Sequence, residues 1–379
     1  MKRPRTLFVL PATVRGGAEI RLLSMLEAFD AIEPVLLAHR SLPGALESRV
    51  EVHCLDDHFG CRDPYPYDIK NVKNHARAIA AVAKWVGADV TFGWMHHGSA
   101  FVAMATLCGL KTKTLGSVLG PLSDHFRLSG RRATLYERLL FGFAFRRLDH
   151  LVVPSSGVLD DMIANFFASP QRTSAIYNGI KSDRVRELAR AHSTEGPPDK
   201  ARPWIVSAAR LSLEKGFDVL LQAFKRLRAE IDVDLILLGD GPERERLESL
   251  ARSLSVQEHV LFAGHVDNPF PWLAKADVFA MTSRLEGFGN ALVEAMALGI
   301  PIVSTSCPWG PREILAAPDA GVLVPVDDEA ALSSALKRVL VDVELSERLS
   351  RGGRNRAHQF SFEKMLKAYE CLICAVSHR

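Results

Sequence analysis

The sequence predicts an α/β protein made of two doubly wound domains, each a parallel sheet covered on both faces. Short apolar runs alternate with longer segments of helical period from Thr6 to Pro154, and the alternation resumes from Trp204 to Val326. Between the two series, Lys181 to Pro203 turns polar and charged and includes Thr194-Glu195-Gly196-Pro197-Pro198-Asp199-Lys200, the composition of a domain boundary. A length of 379 residues exceeds one ordinary core and suits two such domains. The expected division is therefore 1–180, a linker at 181–203, and a second domain at 204–357, with the ligand in a cleft where the two domains face each other.

In the first half, strand Thr6–Leu10 leads into Arg15-Gly16-Gly17-Ala18-Glu19 and a helix to Phe29. A glycine pair between a first strand and a first helix is where such folds place a ligand, although the full G-x-G-x-x-G fingerprint is missing and a tight structural turn stays open. Strands follow at Pro34–Ala38 and Val50–Leu55, with a helix from Asp68 to Val86. Asp89–Trp94, Thr112–Ser117 and His150–Pro154 complete the series. His96 and His97 come at the carboxyl end of one strand, where a helix begins and its N-terminus lowers an imidazole pKa. They are candidate site residues, with capping or packing as the alternative.

The stretch from Arg127 to Asp149 carries Arg127, Arg131, Arg132, Arg138, Arg146 and Arg147 around Leu139-Leu140-Phe141-Gly142-Phe143-Ala144-Phe145. A basic helix with an aromatic and leucine face can lie on an anionic bilayer; an ordinary surface helix completing the core is the competing reading. No apolar segment approaches the roughly 20 residues needed to span a bilayer. The opening MKRPRTLFVLPATVRGG imitates a signal peptide, but its apolar run is short and meets Arg15, so a first strand is expected. Six scattered cysteines suit a reducing compartment, and the expected location is the cytoplasm, with peripheral contact at the membrane's inner face. Cys371 and Cys374 form a C-x-x-C on an apolar helix without a preceding strand, which reads as core packing rather than redox or zinc chemistry. A net charge of only +3 argues against nucleic acid as a partner.

In the second half, strands are expected at Trp204–Ala209, Asp234–Leu238, Val260–Ala263, Val278–Met281, Pro301–Thr305 and Val322–Val326. Arg210 and Lys215 fall in the first strand-to-helix loop, where two cations, free amides and a helix dipole suit a diphosphate. Gly239-Asp240-Gly241-Pro242 ends the next strand, with Gly241 permitting close backbone approach and Pro242 suited to the first helical position. Asp232-Val233-Asp234 imitates a metal-binding D-x-D but precedes its strand, at the wrong edge of the sheet for a site. After Val278–Met281 comes the turn Ser283-Arg284-Leu285-Glu286-Gly287-Phe288-Gly289, then a helix from Asn290 to Leu298 carrying Glu294. Gly299 and Pro301 end that helix.

Taken together, Gly16-Gly17-Ala18-Glu19, Arg210 with Lys215-Gly216, Gly239-Asp240-Gly241-Pro242 and Glu286-Gly287-Phe288-Gly289 through Glu294 resemble the family-4 glycosyltransferases. The resemblance implies the GT-B fold of two Rossmann-like domains, a nucleotide-sugar donor and retention of anomeric configuration. It implies that Arg210 and Lys215 bind the donor diphosphate and stabilise the leaving phosphate, and that Glu286 contacts the sugar hydroxyls. The amides of Gly287, Phe288 and Gly289 would approach sugar and phosphate, and Glu294 would accept from the ribose. Residues near His265 and Val266 would line the base, and Gly17 would face the donor phosphate. No metal or other cofactor is implied, because cations and helix N-termini take that role. The final segment, 358–379, would cross back to the first domain with helix Phe362–Val376. The sequence departs from the family pattern after Thr112–Ser117: the loop Val118-Leu119-Gly120-Pro121 carries no histidine until His125, which leaves the first domain's contact at the reacting centre open.

Cys307-Pro308-Trp309-Gly310-Pro311-Arg312-Glu313 looks like a segment of bacterial members that transfer hexoses or N-acetylhexosamines from UDP-sugars. With the arginine-rich stretch, it suggests a glycan or lipid-linked sugar acceptor in polysaccharide or glycoconjugate synthesis. Rival readings are a nucleotide-sugar epimerase or hydrolase on the same fold, a non-catalytic sugar-nucleotide scaffold, and a retaining glycosidase. The last needs two carboxylates about 5–5.5 Å apart, whereas eight residues of continuous helix separate Glu286 and Glu294 by about 12 Å.

Overall fold

The apolar runs of the first half form β1 (Arg5–Leu10), β2 (Glu33–Ala38), β3 (Glu51–Cys54), β4 (Val90–Gly93), β5 (Lys113–Ser117), β6 (His150–Val153) and β7 (Thr173–Ala175). The computed structural model describes residues 2–11, 17–39, 50–55, 72–123, 135–191 and 196–378; Gly16, Cys61, His125, Arg127, Arg131 and Arg132 lie outside the described residues. The seven strands pair in the order β3-β2-β1-β4-β5-β6-β7, and the pairings are parallel. Helices α1 (Gly17–Ala28), α2 (Val72–Trp85), α3 (Met95–Ala105), α4 (Leu135–Arg147) and α5 (Ser156–Phe166) lie between them. Leu7, Phe8, Val9 and Leu10 are all buried, as a central parallel strand covered on both faces requires. Phe8 stacks on Phe29 and Phe92 at centroid separations of 5.7 and 5.3 Å.

The second series forms β8 (Trp204–Ala208), β9 (Asp234–Leu238), β10 (Val260–Gly264), β11 (Val278–Met281), β12 (Ile302–Thr305) and β13 (Val322–Val324). These pair in the order β10-β9-β8-β11-β12-β13, again in parallel. Around them lie α6 (Ser182–Arg190), α7 (Phe217–Arg228), α8 (Arg244–Ser253), α9 (Phe270–Ala274), α10 (Asn290–Leu298), α11 (Pro311–Ile314), α12 (Glu329–Val341) and α13 (Val343–Ala357). Successive residues of β9 point to opposite faces. Leu235 and Leu237 join Phe224, Leu227 and Leu336 on one side, and Ile236 and Leu238 join Trp204, Met296 and Ile314 on the other. Both faces are thus dry, which explains why these strands read as unbroken apolar runs.

The chain divides into Met1–Tyr177 with Glu363–Arg379, and Asn178–Phe362. This corrects the expected linker. Residues 182–190 are helical, with Val185 in the second unit's core. The helix looked like a linker because its outer face is charged, with Arg186 paired to Asp183 and Arg184 to Glu187, both at 2.7 Å. Residues 358–362 also stay with the second unit: the Ile180 N–H donates to the Phe360 carbonyl at 2.9 Å, and the Phe362 N–H to the Ile180 carbonyl at 3.0 Å. The following helix, α14 (Phe362–Ser377), packs in the first unit from Glu363 onward. Its Tyr369 is buried against Phe92 and Trp94, at 6.0 and 6.1 Å, and burial pushes the phenol pKa up. Its Glu370 Oε1 accepts from the backbone N–H groups of Asp30 and Ala31, both at 2.7 Å. Ile373 and Val376 supply the buried face. Cys371 is exposed, so its half of the C-x-x-C is not core packing.

Two differences from the sequence reading are local. Strand β7 was not expected, because Thr173-Ser174-Ala175 is short, polar and carries no period-2 signal. Pro242 lies before α8, whose first residue is Arg244, so it is not the first helical residue. Asp232 and Asp234 lie at the amino end of β9, where Arg202 Nε reaches Asp232 at 2.8 Å and Arg202 Nη1 reaches Asp234 at 3.6 Å.

Candidate active site

In open parallel sheets a ligand settles outside the carboxyl ends of the strands, where the strand order reverses and neighbouring loops diverge. In the second unit that point lies between β8 and β11. The loop leaving β8 carries Arg210 and Lys215, and the loop leaving β11 carries Ser283 to Gly289. Strand order therefore brings together two segments far apart in sequence.

Arg210 is exposed just beyond β8. Lys215 ends a 3-10 turn, Leu213–Lys215, and α7 begins two residues later at Phe217. Gly216 between them has φ 64°, and a Cβ there would stand 2.2 Å from the Thr282 carbonyl oxygen. Only glycine allows this left-handed residue to lie so near the end of β11. The approach is fixed from both sides, because the Thr282 hydroxyl donates to the Lys215 carbonyl at 3.0 Å.

Lys215 Nζ then meets Glu286 Oε1 at 2.6 Å. The same oxygen accepts from Ser283 Oγ at 2.8 Å. Burial opposes the charge on Lys215, but the Glu286 carboxylate outweighs it and holds the ammonium pKa above its ordinary value. Glu286, read from the sequence as a sugar contact, is thus also the partner of Lys215. Cys307, in the loop after β12, is buried beside the pair; desolvation and the Glu286 charge push its thiol to about 12.

The turn is held from below as well as across. Thr305 Oγ1 donates to the Ser283 carbonyl at 2.6 Å, and Phe288 is buried against Phe360 at 5.4 Å in a T-shaped contact. Gly289 caps α10 with φ 108°, so the turn runs straight into a helix N-terminus. Glu294 sits half-buried one turn further along α10. Gly241 belongs to the next loop, where a Cβ would fall 2.3 Å from the Leu211 carbonyl; the Leu211 N–H in turn donates to the Asp240 carbonyl at 3.0 Å. Val266, after β10, packs partly buried against the core, and His265 beside it is exposed.

Two features escaped the sequence reading. The Lys215–Glu286 pair had no local signal, since it depends on β8 lying next to β11. Arg284 looked like any solvated arginine, yet its guanidinium reaches Asp218, Asp327 and the Leu213 carbonyl.

In the first unit the order reverses between β1 and β4. Gly17 opens α1 on the β1 side, and among the described residues nothing lies within 4 Å of where its Cβ would stand. On the β4 side, Met95 has φ 64° and its N–H donates to Ser117 Oγ at 3.0 Å. His96 and His97 follow, half-buried, with ring centroids 3.9 Å apart and edges toward Phe141 at 5.8 and 6.0 Å. Gly17 is thus the first residue of α1, and His96 and His97 lie in the first turn of α3, which follows β4.

Comparison with known proteins identifies the family. Residues 15–184 match the family described as Glycosyltransferase Family 4, and residues 190–356 match Glycosyl transferases group 1. Among curated relatives, the chain is 29% identical over 282 residues to the N-acetylgalactosamine-N,N'-diacetylbacillosaminyl-diphospho-undecaprenol 4-alpha-N-acetylgalactosaminyltransferase of Campylobacter jejuni, covering 74% of this chain and 75% of that one. It is 34% identical to the lipopolysaccharide core biosynthesis glycosyltransferase LpsE of Rhizobium meliloti, over 61% of this chain and 66% of the relative. Among solved structures, the Thermosynechococcus elongatus sucrose-phosphate synthase superposes with a TM-score of 0.81 at 19% identity, covering 99% of this chain and 100% of that one. The Anabaena HepE complex with UDP gives 0.77 at 19% identity, over 98% and 100%. Both halves are matched in chain order, each on its own Rossmann-like sheet, and the chain belongs to the family-4 glycosyltransferases of GT-B type.

Proposed function

We propose that the enzyme transfers a hexose or N-acetylhexosamine from a UDP-sugar, with retention of anomeric configuration, to a lipid-linked or glycan acceptor in glycoconjugate synthesis. The observation that carries this reading is the Lys215–Glu286 pair, 2.6 Å apart at the switch point of the second sheet. An ammonium has three protons, so Lys215 can keep Glu286 and still donate to a diphosphate oxygen. Arg210, in the same loop after β8, adds a second cation, and both stabilise the charge that grows on the leaving phosphate. Glu286 keeps its other oxygen for a sugar hydroxyl. The amides of Gly287, Phe288 and Gly289 lead into the N-terminus of α10 and favour an anion there. Glu294 takes the ribose hydroxyls, Gly241 admits the nucleotide backbone, and Val266 lines the base.

In the first domain, Gly17 is assigned to the donor phosphate, and His96 and His97 are assigned to the acceptor side. No metal is required in this scheme, because Arg210, Lys215 and the helix N-terminus supply the positive field. UDP is favoured by the name of the Anabaena complex, and an N-acetylhexosamine on a diphospho-undecaprenol carrier by that of the Campylobacter relative. GDP-mannose, named for a Mycolicibacterium smegmatis relative, is the donor to test against it.

Among the described residues no helix is long and apolar enough to cross a membrane. A peripheral site is proposed at α4, where Leu139 and Phe143 are exposed and are followed on the same helix by the exposed Arg146 and Arg147; such contact would hold a cytoplasmic enzyme beside a lipid-linked acceptor. Calorimetry across UDP-, GDP- and ADP-sugars tests the donor, and the anomeric proton coupling of the product tests retention. Selective binding of a GDP- or ADP-sugar would overturn the UDP assignment. Conversion of UDP-N-acetylglucosamine without acceptor would favour an epimerase.

A further inference from the structure

Arg284 lies two residues before Glu286, and none of the roles above uses it. We propose that Arg284 is a positioning residue that sets the Lys215–Glu286 geometry, by clamping the turn after β11 to the loop after β8. The inference rests on the reading of Lys215 and Glu286 as donor contacts.

The clamp is visible bond by bond. Arg284 Nη1 and Nη2 hold Asp218 Oδ1 and Oδ2 at 3.0 and 2.9 Å, a two-pronged contact with the first turn of α7. Nη1 also donates to the Leu213 carbonyl at 2.8 Å, and Nε to Asp327 Oδ1 at 2.6 Å. The backbone adds to this: the Arg284 N–H donates to the Glu214 carbonyl at 2.8 Å. Leu213, Glu214 and Asp218 flank Lys215 on both sides, so the side chain and backbone N–H of one residue fix the segment that carries the ammonium. The other end of the clamp is the turn that carries Glu286.

A loose surface arginine would not need this arrangement. The Arg284 and Asp218 side chains are only 19% and 20% exposed. A guanidinium presents five N–H donors in a rigid plane, and a lysine ammonium cannot reproduce a fork to one carboxylate while reaching a carbonyl and a second acid. Asp327 holds a left-handed backbone, φ 59°, at the position from which it meets Nε. Both partners favour the charged pair. Burial raises the Asp218 carboxyl, but the hydrogen bond to Arg284 and the Arg284 charge, with a backbone hydrogen bond, together outweigh it and the pKa is lowered. The charged groups facing Lys215 itself are Glu286 and Glu214, with the Cys307 thiol beside them.

The test uses full-length protein and reads Lys215 directly. Competitive acylation with acetic anhydride, followed by mass spectrometry, compares Lys215 with the exposed Lys367 as internal standard. In Arg284→Met the pair loosens, and Lys215 should label about tenfold faster, the effect of one pKa unit on the free-amine fraction. Millimolar guanidinium should slow it again, and Arg284→Lys should label like Arg284→Met. With a UDP-sugar, kcat should fall about tenfold or more while KM changes less, the pattern of a contact that matters in the transition state. A merely structural arginine would lower the melting temperature and leave Lys215 labelling in the folded fraction at the wild-type rate; that result overturns the proposal. If Arg284→Met does not fold, Asp327→Asn removes one arm alone, and a wild-type labelling rate in that variant overturns it equally. Because labelling needs no donor, a protein inactive with every sugar nucleotide would sink the functional reading while the clamp is judged on its own.

Discussion

Lys215 and Glu286 lie 71 residues apart in sequence and 2.6 Å apart in space. Neighbouring strands β8 and β11 produce that meeting, and it supplies the first prediction. Replacing Lys215 by Met removes a fixed cation where charge develops on the leaving phosphate. Loss of one such preorganised donor costs about 10²–10³ in kcat. Glu286→Gln keeps the shape and loses the charge that orients Lys215, so it should fall between Lys215→Met and wild type. Steady-state kinetics with the preferred donor decides this. Wild-type turnover in both variants would remove the site assignment.

The same pair predicts how stability responds to alkali. Burial alone would lower the Lys215 pKa, but Glu286 raises it above the ordinary 10.5. A group with a raised folded pKa stabilises fully below its unfolded value and loses that contribution as pH climbs through the folded one. The difference in urea stability between wild type and Glu286→Gln should therefore be constant to about pH 10 and shrink above it. A difference that stays flat through that range would mean the pair is not ionised.

Gly216 predicts a purely steric effect. Its φ is 64°, and the methyl carbon of an alanine there would stand 2.2 Å from the Thr282 carbonyl oxygen, which leaves no room for it. The left-handed backbone alone costs a non-glycine residue about 1–2 kcal/mol, and relief of the clash would also shift Lys215. Gly216→Ala should melt lower and bind donor more weakly, whereas alanine at Gly17, which would meet nothing within 4 Å among the described residues, should leave the melting temperature near wild type. Thermal unfolding of the two variants makes the comparison.

These cases show which parts of the site were legible in the sequence. Strands such as Val278–Met281 announced themselves because burial on both faces demands unbroken apolar runs. Glu286, Lys215 and Gly241 stood out in strand-end loops, and Glu294 as a helix residue at a fixed spacing from Glu286. The pairing of Lys215 with Glu286 was hidden, because it depends on β8 and β11 being neighbours, a property of strand order rather than of either loop. Arg284 was hidden for the same reason: its partners Asp218 and Asp327 come from two other loops. Helix α6 was missed because its charged face and Pro- and Gly-rich sequel share the composition of a linker. A helix with one buried anchor, Val185, leaves only a faint apolar period.

Cysteine chemistry offers a check that needs no substrate. Cys307 is buried, and desolvation with the Glu286 charge pushes its thiol to about 12, so almost none is thiolate near neutral pH. Cys371 is exposed. Iodoacetamide near pH 8 should label Cys371 quickly and spare Cys307 until the protein unfolds, as peptide mass spectrometry would show. Early labelling of Cys307 would mean that the Lys215–Glu286 surroundings are open to solvent.

The proposed membrane face makes two separable demands. Leu139, Phe143 and Phe167 are 52%, 48% and 52% exposed, and the Arg147 guanidinium carbon lies 5.5 Å from the Phe143 ring centroid. A basic residue near an anionic surface contributes about 1 kcal/mol, and salt screens it. Serine at Arg146 and Arg147 should therefore weaken co-sedimentation with phosphatidylserine vesicles about 30-fold at low salt, with little effect at high salt. Serine at Leu139 and Phe143 removes buried apolar area instead, and should weaken binding at both salt concentrations. Neutral vesicles should retain neither form. If both folded variants sediment like wild type, the apolar residues of α4 are ordinary surface and the acceptor is reached without this face.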